Sequence, residues 1–223
     1  RITLVTQPNR GLAAARNVGI DVALNISGLK AVFFLDADNR LDPHATNLFG
    51  KLLRDCPNTG WFYPNFDMFG IDGPQSHGGE YTLSRMAISN TCDAGSLVNR
   101  RVLDAGIRFN EAMRGGFEDW DFWLQAAEQG FVGQAVGASF FRYRKRSQSM
   151  LARAHQNDAA LRSSMRARHG WLFGKGRLAR QYITEWPRFA FVDFETRVSF
   201  GDLRGVSPID MHIVEQRWFA AQD

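Results

Sequence analysis

The sequence predicts an α/β domain, a mostly parallel sheet flanked by helices, and three observations carry that reading. Ala31-Val32-Phe33-Phe34-Leu35 is an apolar run, rich in Val and Phe and too short for a helix, that reads as a strand buried on both faces. It lies between two helical segments, the alternation that builds a parallel sheet. It ends in Asp36 and Asp38, one residue apart, and in open α/β sheets ligands collect outside the carboxyl ends of the strands. An Asp-x-Asp in extended backbone sends both carboxylates to the same side. That geometry suits a hard divalent cation bridged to phosphate oxygens, although the commoner role of such a pair is a solvated turn.

The elements follow in order. Arg1–Val5 reads as a strand and Gln7–Gly11 as a loop. The helix Leu12–Leu24 places Leu12, Ala15, Gly19 and Val22 on one face, and Asn25-Ile26-Ser27-Gly28 ends it. Arg16 and Asn17 fall off that face, open to a ligand, though an arginine there is more often simply solvated. After the central strand, Asp42 as N-cap and Pro43 at the first helical position open a helix to about Arg54. Trp61-Phe62-Tyr63 is a short strand, and residues 64–80 are a Gly/Pro/Asp-rich excursion over the site. Tyr81–Ile88 reads as a short helix, Gly95–Val98 as a strand, and Arg100–Ala105 as a helix stopped by Gly106. Gly133–Val136 and Ser139–Tyr143 are two further strands, and His155–His169 is a basic helix. From Trp171 the sheet pattern is lost. The expected division is a main domain over 1–170 and an appendage, or the start of another module, over 171–223.

Bulk properties narrow the class. At 223 residues and 25.2 kDa, with 44% hydrophobic and 22% charged residues, this is an ordinary globular chain of one large domain or one domain with an appendage. No apolar run of about 18 residues marks a membrane span, and no signal-peptide pattern opens the chain. Cys56 and Cys92 are too few and too far apart for a zinc site or a disulfide framework, which points to a reducing, cytoplasmic setting. The net charge is +4 and the pI about 9.4, with arginine outnumbering lysine. Arginine clusters serve nucleic acids or diphosphates. No stacking aromatics form a nucleic-acid module, so nucleic acid is not an expected partner. The chain begins at Arg1 and enters strand-like sequence directly, as a fragment would.

The second stretch with chemical content is Arg114-Gly115-Gly116-Phe117-Glu118-Asp119-Trp120-Asp121-Phe122-Trp123. A Gly-Gly loop leads into an acidic first turn, and the helix continues to Gln129 with Gly130 as its stop and Trp120, Trp123, Leu124 and Ala127 as its core face. Acids at a helix N-terminus are favoured by capping and by the dipole, so each one singly is structural. Three behind two glycines exceed what a cap requires, because like charges repel. That excess points to proton abstraction or hydroxyl binding. The basic run Arg142–Arg146, continuing to Met150, follows a strand end where a loop can fold over a diphosphate.

Four segments together resemble a family 2 glycosyltransferase of the GT-A fold. They are Asn9-Arg10-Gly11-Leu12-Ala13-Ala14-Ala15-Arg16-Asn17-Val18-Gly19, Phe34-Leu35-Asp36-Ala37-Asp38, Gly116-Phe117-Glu118-Asp119-Trp120-Asp121, and Tyr143-Arg144 through Ser149-Met150. They occur in the family's order over roughly Arg1 to His169. The resemblance implies an inverting, metal-dependent enzyme of glycan or polysaccharide biosynthesis. It moves a sugar from a nucleoside diphosphate sugar to an acceptor hydroxyl. By the same likeness Asn9, Arg16, Asp36, Asp38, Arg144 and Ser149 meet the donor, and Asp38 holds Mn or Mg. Asp119 is the base, and Glu118 and Trp120 lie on the acceptor side. A carboxylate of ordinary pKa would serve as that base. A membrane enters only indirectly, through other domains or a lipid-linked acceptor. The family's first strand–helix units, which hold the nucleotide base, have no counterpart ahead of Asn9, so the resemblance also implies an N-terminally incomplete chain. The alternative is a glycosyltransferase-like module that binds sugar nucleotide or glycan without turnover. Retention of Asp36, Asp38 and Asp119 argues against it.

Overall fold

The computed structural model describes residues 2–64, 66–70, 76–77, 81–137, 139–145, 158–174, 176–185, 190–192 and 198–200. In chain order the elements are α1 (Leu12–Leu24), β1 (Ala31–Phe33), β2 (Arg40–Leu41), α2 (Ala45–Asp55), β3 (Trp61–Pro64), β4 (Phe66–Gly70) and β5 (Ser76–His77). Then come α3 (Leu83–Ile88), β6 (Leu97–Asn99), α4 (Arg100–Asp104), α5 (Glu118–Glu128), β7 (Gly133–Val136), β8 (Phe141–Lys145) and α6 (Asp158–Arg168). The last are α7 (Gly170–Phe173), α8 (Arg177–Glu185), β9 (Ala190–Val192) and β10 (Val198–Phe200). They fall into two compact units, one of residues 1–81 and 89–169, the other of residues 82–88 and 170–223.

The first unit is built on a sheet of order β1-β6-β3-β7. β6 pairs antiparallel with both β1 and β3, while β3 pairs parallel with β7. Three strands therefore point one way and β6 is reversed among them, a mixed sheet in which the parallel direction prevails. Consecutive side chains leave a strand on opposite faces, and here both faces are covered. Phe33 meets Phe49 of α2 at 5.0 Å between ring centroids, and Phe62 and Leu97 join the same cluster with Leu48 and Leu52. On the other face Phe34 meets Phe109 at 5.2 Å, and Trp61 stacks on Trp123 of α5 at 5.1 Å. Each such aromatic contributes about 1.5–3 kcal/mol by burial. The Trp61 ring lies so close to Gly133 that a Cβ there would sit 2.5 Å from the indole. Only glycine fits.

A second sheet, β2-β8-β4-β5, lies in part within the stretch that reads as an irregular excursion. β4 runs parallel to β8, from Asp67 opposite Arg142 to Gly70 opposite Lys145. The period-two pattern of Phe66 to Phe69 is too short to stand out beside its Gly, Pro and Asp neighbours. Other differences have equally local causes. Residues 2–10 form no regular element, and no described strand runs alongside to pair the backbone of the expected Arg1–Val5 strand. α1 has its expected bounds but a different inward face: Ala13, Ala14, Arg16 and Ile20 are buried, whereas Ala15 and Gly19 are exposed. Small residues all round a helix leave its orientation to stronger contacts. Asp42 precedes α2 rather than capping it, its Oδ1 accepting from His44 N at 2.8 Å. The last strand of the unit is displaced to Phe141–Lys145, and the basic helix is described over Asp158–Arg168, the first three residues of its expected span, 155–157, lying outside the described residues.

In the second unit the Glu185 carboxylate closes the N-terminus of α3, accepting from Leu83 N at 2.7 Å and Ser84 N at 2.8 Å. β9 and β10 pair antiparallel, so strand structure does recur beyond Trp171. No described helix is long and apolar enough to cross a membrane.

Candidate active site

The carboxyl end of β1 and the amino end of β6 meet, with Phe33 opposite Leu97. The loop after β1, carrying Asp36 and Asp38, therefore emerges at the same sheet edge as the loop before β6, carrying Asp93. Asp93 Oδ1 accepts from Gly95 N at 2.7 Å, and a Cβ on Gly95 would stand 2.3 Å from the Phe141 ring. Trp123 Nε1 donates to Cys92 O at 2.7 Å, which ties this loop to α5. α5 brings its own acids to the edge through a left-handed entry: Gly116 has φ 116° and Phe117 φ 64°. Phe117 is not a glycine, so this backbone costs about 1–3 kcal/mol. Strain of that kind persists where the surroundings over-determine it.

Arg16 joins the loops. Its Nη2 donates to Asp36 Oδ1 at 3.0 Å and its Nη1 to Glu118 Oε1 at 2.9 Å, while its guanidinium lies 5.1 Å from the Phe109 centroid. The expectation of a side chain open to a ligand is corrected here: Arg16 is 8% exposed and acts as a buried cross-link. Burial works against its charge, but Asp36, Glu118 and Asp119 outweigh that and raise its pKa. Its Nε has no hydrogen-bond partner among the described residues. Glu118, also buried, is held by Arg16 rather than presented to an acceptor.

Asp119 is half-buried and accepts from Trp120 N at 2.8 Å. Burial first, then the charges of Glu118 and Asp93, push its pKa up to about 8 against the pull of Arg16. The expected ordinary carboxylate is thus a weakly acidic one. Asp93 is pushed up to about 6, again mainly by burial, with Gly95 N and Arg16 opposing and Asp36 and Glu118 adding. The Tyr143 phenol rises to about 12 through burial and then through Asp93, Asp36, Asp38 and Asp119. Tyr143 therefore lies within electrostatic reach of the acids. Neither it, except as part of a motif, nor Asp93 stands out in the sequence as a site residue.

The remaining candidates distribute as follows. Asn9 Oδ1 accepts from Gly11 N at 3.0 Å and shapes the turn into α1. Arg144 donates from Nε to Asp38 O at 3.1 Å and from its backbone N to Asn39 Oδ1 at 2.9 Å, which fastens β8 to the Asp-x-Asp turn. Trp120 is buried against Phe117 and Arg162, with centroid distances of 5.3 Å and 5.2 Å, so its ring is covered instead of offered to an acceptor. Ser149 lies outside the described residues. Asp121 points away from the acid cluster into a fully buried position, accepting from Gln125 Nε2 at 2.7 Å and Arg168 Nε at 2.8 Å, with His169 Nε2 at 2.8 Å. Burial alone would raise its pKa, but the hydrogen bonds of His169 and Arg168 outweigh this and lower it.

Among the described residues no group of three or more His, Cys, Asp or Glu side chains is arranged to hold a metal. A cation would instead take Asp38 together with phosphate oxygens and water, the mode Mg prefers, and the half-buried Asp38, in the turn that Asn39 N closes on Asp36 O at 3.0 Å, fits that mode. A pocket of about 140 Å³ is lined by Arg10, Leu12, Glu111, Met113, Arg114 and Glu118 among others. It is smaller than the roughly 300–1,000 Å³ of a ligand site and too small for a nucleotide.

No protein-family model matches the chain, and no curated protein matches it. Solved structures are similar in fold. S. aureus TarS 1–349 in complex with UDP has a TM-score of 0.50 at 16% identity, over 80% of this chain and 57% of that one. S. aureus TarS has 0.51 at 15%, over 80% and 36%. A further structure of S. aureus TarS 1–349 has 0.50 at 17%, over 80% and 60%. The chain thus spans between about a third and three fifths of those structures. At such identity the likeness establishes a shared α/β fold of the GT-A-like kind.

Proposed function

We propose that the chain is a glycosyltransferase that moves a sugar from a nucleoside diphosphate sugar to an acceptor hydroxyl, with inversion and with Asp119 as base. The observation that carries this is the gathering of Asp36, Asp38, Asp93, Glu118, Asp119 and Tyr143 at one sheet edge around the buried Arg16. Carboxylates in such number suit a polyol, whose hydroxyls donate to them. They do not by themselves suit a diphosphate, whose charge they repel, and this is why a cation on Asp38 belongs to the reading. Support for the donor class comes from the fold shared with TarS, a glycosyltransferase whose structure contains UDP.

In this mechanism Asp36, tied to Arg16, and Asp93 receive hydroxyls of the donor sugar. Asp119 accepts the proton of the acceptor hydroxyl as it attacks the anomeric carbon from the face opposite the leaving group. A bound Mn or Mg would supply charge stabilisation to the departing diphosphate. The raised pKa of Asp119 favours this role, since a base is most effective with a pKa near the working pH. Asp119→Asn keeps the shape and still hydrogen-bonds a hydroxyl, but cannot take its proton. Donor affinity by calorimetry should stay within a few-fold while kcat falls by roughly 10²–10⁴. Near-normal kcat in Asp119→Asn, or a retained anomeric configuration by NMR, removes Asp119 from the role. Donor binding without turnover in the wild type would favour the non-catalytic module.

A further inference from the structure

We propose that the outer face of the second sheet binds anionic groups, phosphate or carboxylate, carried by the acceptor. Arg40 of β2 and Arg142 and Arg144 of β8 place their guanidinium carbons 5.2, 5.4 and 4.7 Å from the ring centroid of Phe69 in β4. Three cations thus share one aromatic platform. Arg40 and Arg142 are direct register partners, as are Phe69 and Arg144, so all four stand on one face. Like charges directly opposite one another in a sheet are destabilising. No described carboxylate forms an ion pair with any of the three. Attraction to a single Phe ring does not require three arginines, and Asp67, the register partner of Arg142 on β4, is one acid against three arginines, so these strands keep an excess of positive charge that an anion would neutralise.

The face adjoins the acid site without coinciding with it. Side chains alternate along a strand, so Arg142 and Arg144 leave β8 on the side opposite Tyr143. Arg144 Nε reaches Asp38 O at 3.1 Å, so the two meet at the Asp-x-Asp turn. The donor diphosphate belongs with the acids and a cation on Asp38, which leaves the arginine face for a second anionic molecule. Arg40 is two residues from Asp38, so an extended acceptor lying on this face has only the sheet edge to round to reach the site. Planar guanidinium forks suit phosphate and carboxylate in particular. The word acceptor rests on the glycosyltransferase reading; the anion site itself does not.

Calorimetry on the whole chain tests it, with tripolyphosphate, oligogalacturonate and neutral maltohexaose as probes and UDP titrated separately. The wild type should bind one or both polyanions, telling phosphate from carboxylate, and not maltohexaose. Arg40→Gln/Arg142→Gln should weaken that binding by about ten-fold, the worth of two partly exposed charge contacts, and flatten its salt dependence. UDP affinity should stay within about two-fold, since neither residue is placed at the donor. Phe69→Leu keeps the charges but removes the platform, and should weaken polyanion binding by a smaller factor. No polyanion binding, or unchanged binding in the double variant, overturns the proposal. So does a parallel loss of UDP affinity, which would give these arginines to the donor. A chain that binds tripolyphosphate but transfers no sugar would sink the enzymatic reading and leave the anion site standing.

Discussion

Replacing Arg16 by Met removes the cation between Asp36 and Glu118 and keeps an unbranched side chain. The two ion pairs carry unequal weight. Arg16 and Glu118 are each 8% exposed, so Arg16→Met strands a buried carboxylate, at a cost of about 3–5 kcal/mol. Asp36 is 38% exposed and solvent replaces most of what it loses, so its share is about 1 kcal/mol or less. Urea unfolding at pH 7 should show this loss through a lower midpoint at unchanged slope. Glu118→Gln added to Arg16→Met should recover most of it, because an amide needs no counter-charge. A second readout comes from Asp119, whose pKa Arg16 holds down against burial. Without the cation that pKa rises further, and the alkaline-rising limb of activity moves to higher pH. A loss below about 1 kcal/mol, or no recovery with Glu118→Gln, would refute the buried cross-link.

Three further outcomes follow from the same geometry. Asp119 has a folded pKa of about 8, above the unfolded carboxylate value of about 3.9. Stability linked to its proton is fully present below about pH 4 and is lost as pH rises toward 8. Asp119→Asn should therefore melt at a higher temperature than wild type at pH 8–9 and at about the same temperature near pH 4, by calorimetric scanning. Asp121 is shifted the other way, so its contribution is present above about pH 4 and fades as pH falls through its depressed folded value. Asp121→Asn should cost about 1–3 kcal/mol at pH 7, measured in urea, because it weakens buried hydrogen bonds while the stranded Arg168 is 43% exposed, with the deficit shrinking in acid. Gly95→Ala drives a methyl to 2.3 Å from the Phe141 ring. It should cost about 1–3 kcal/mol and weaken donor affinity by moving Asp93; unchanged donor affinity would separate that loop from the donor.

Much of the fold was legible because long periodic segments dominate their surroundings. α1 has the bounds its pattern implies, Leu12–Leu24, and α5 begins at Glu118, behind the Gly-Gly loop. Legibility failed where local pattern is weak and distant contacts decide. The rotation of α1 could not be read, because alanines and glycines surround it, and the burial of Arg16 depends on carboxylates 20 and 102 residues away. The second sheet was hidden for the same reason: β4 has its parallel partner β8 far along the chain.

Asp93 shows the limit most clearly, since the rule that located Asp36 and Asp38 also concealed it. Carboxyl ends of parallel strands form the functional edge of an α/β sheet, so a search along the sequence looks after each strand, not before it. Asp93 precedes β6. Only because β6 runs against β1, with Phe33 opposite Leu97, does the segment before it reach the edge where Asp36 emerges. The sequence does carry a trace of this. An acid two residues before a glycine, just ahead of an apolar strand, is unusual as a simple turn when that glycine must admit an aromatic ring, and Gly95 admits Phe141. Strand direction is a property of pairing and not of any one segment, so that trace acquires meaning only once the partner of β6 is known. The same reversal lets β6 deliver Asp93 while α5, tied to the loop through Trp123 and Cys92, delivers Asp119. The raised pKa values of both carboxyls follow from that convergence.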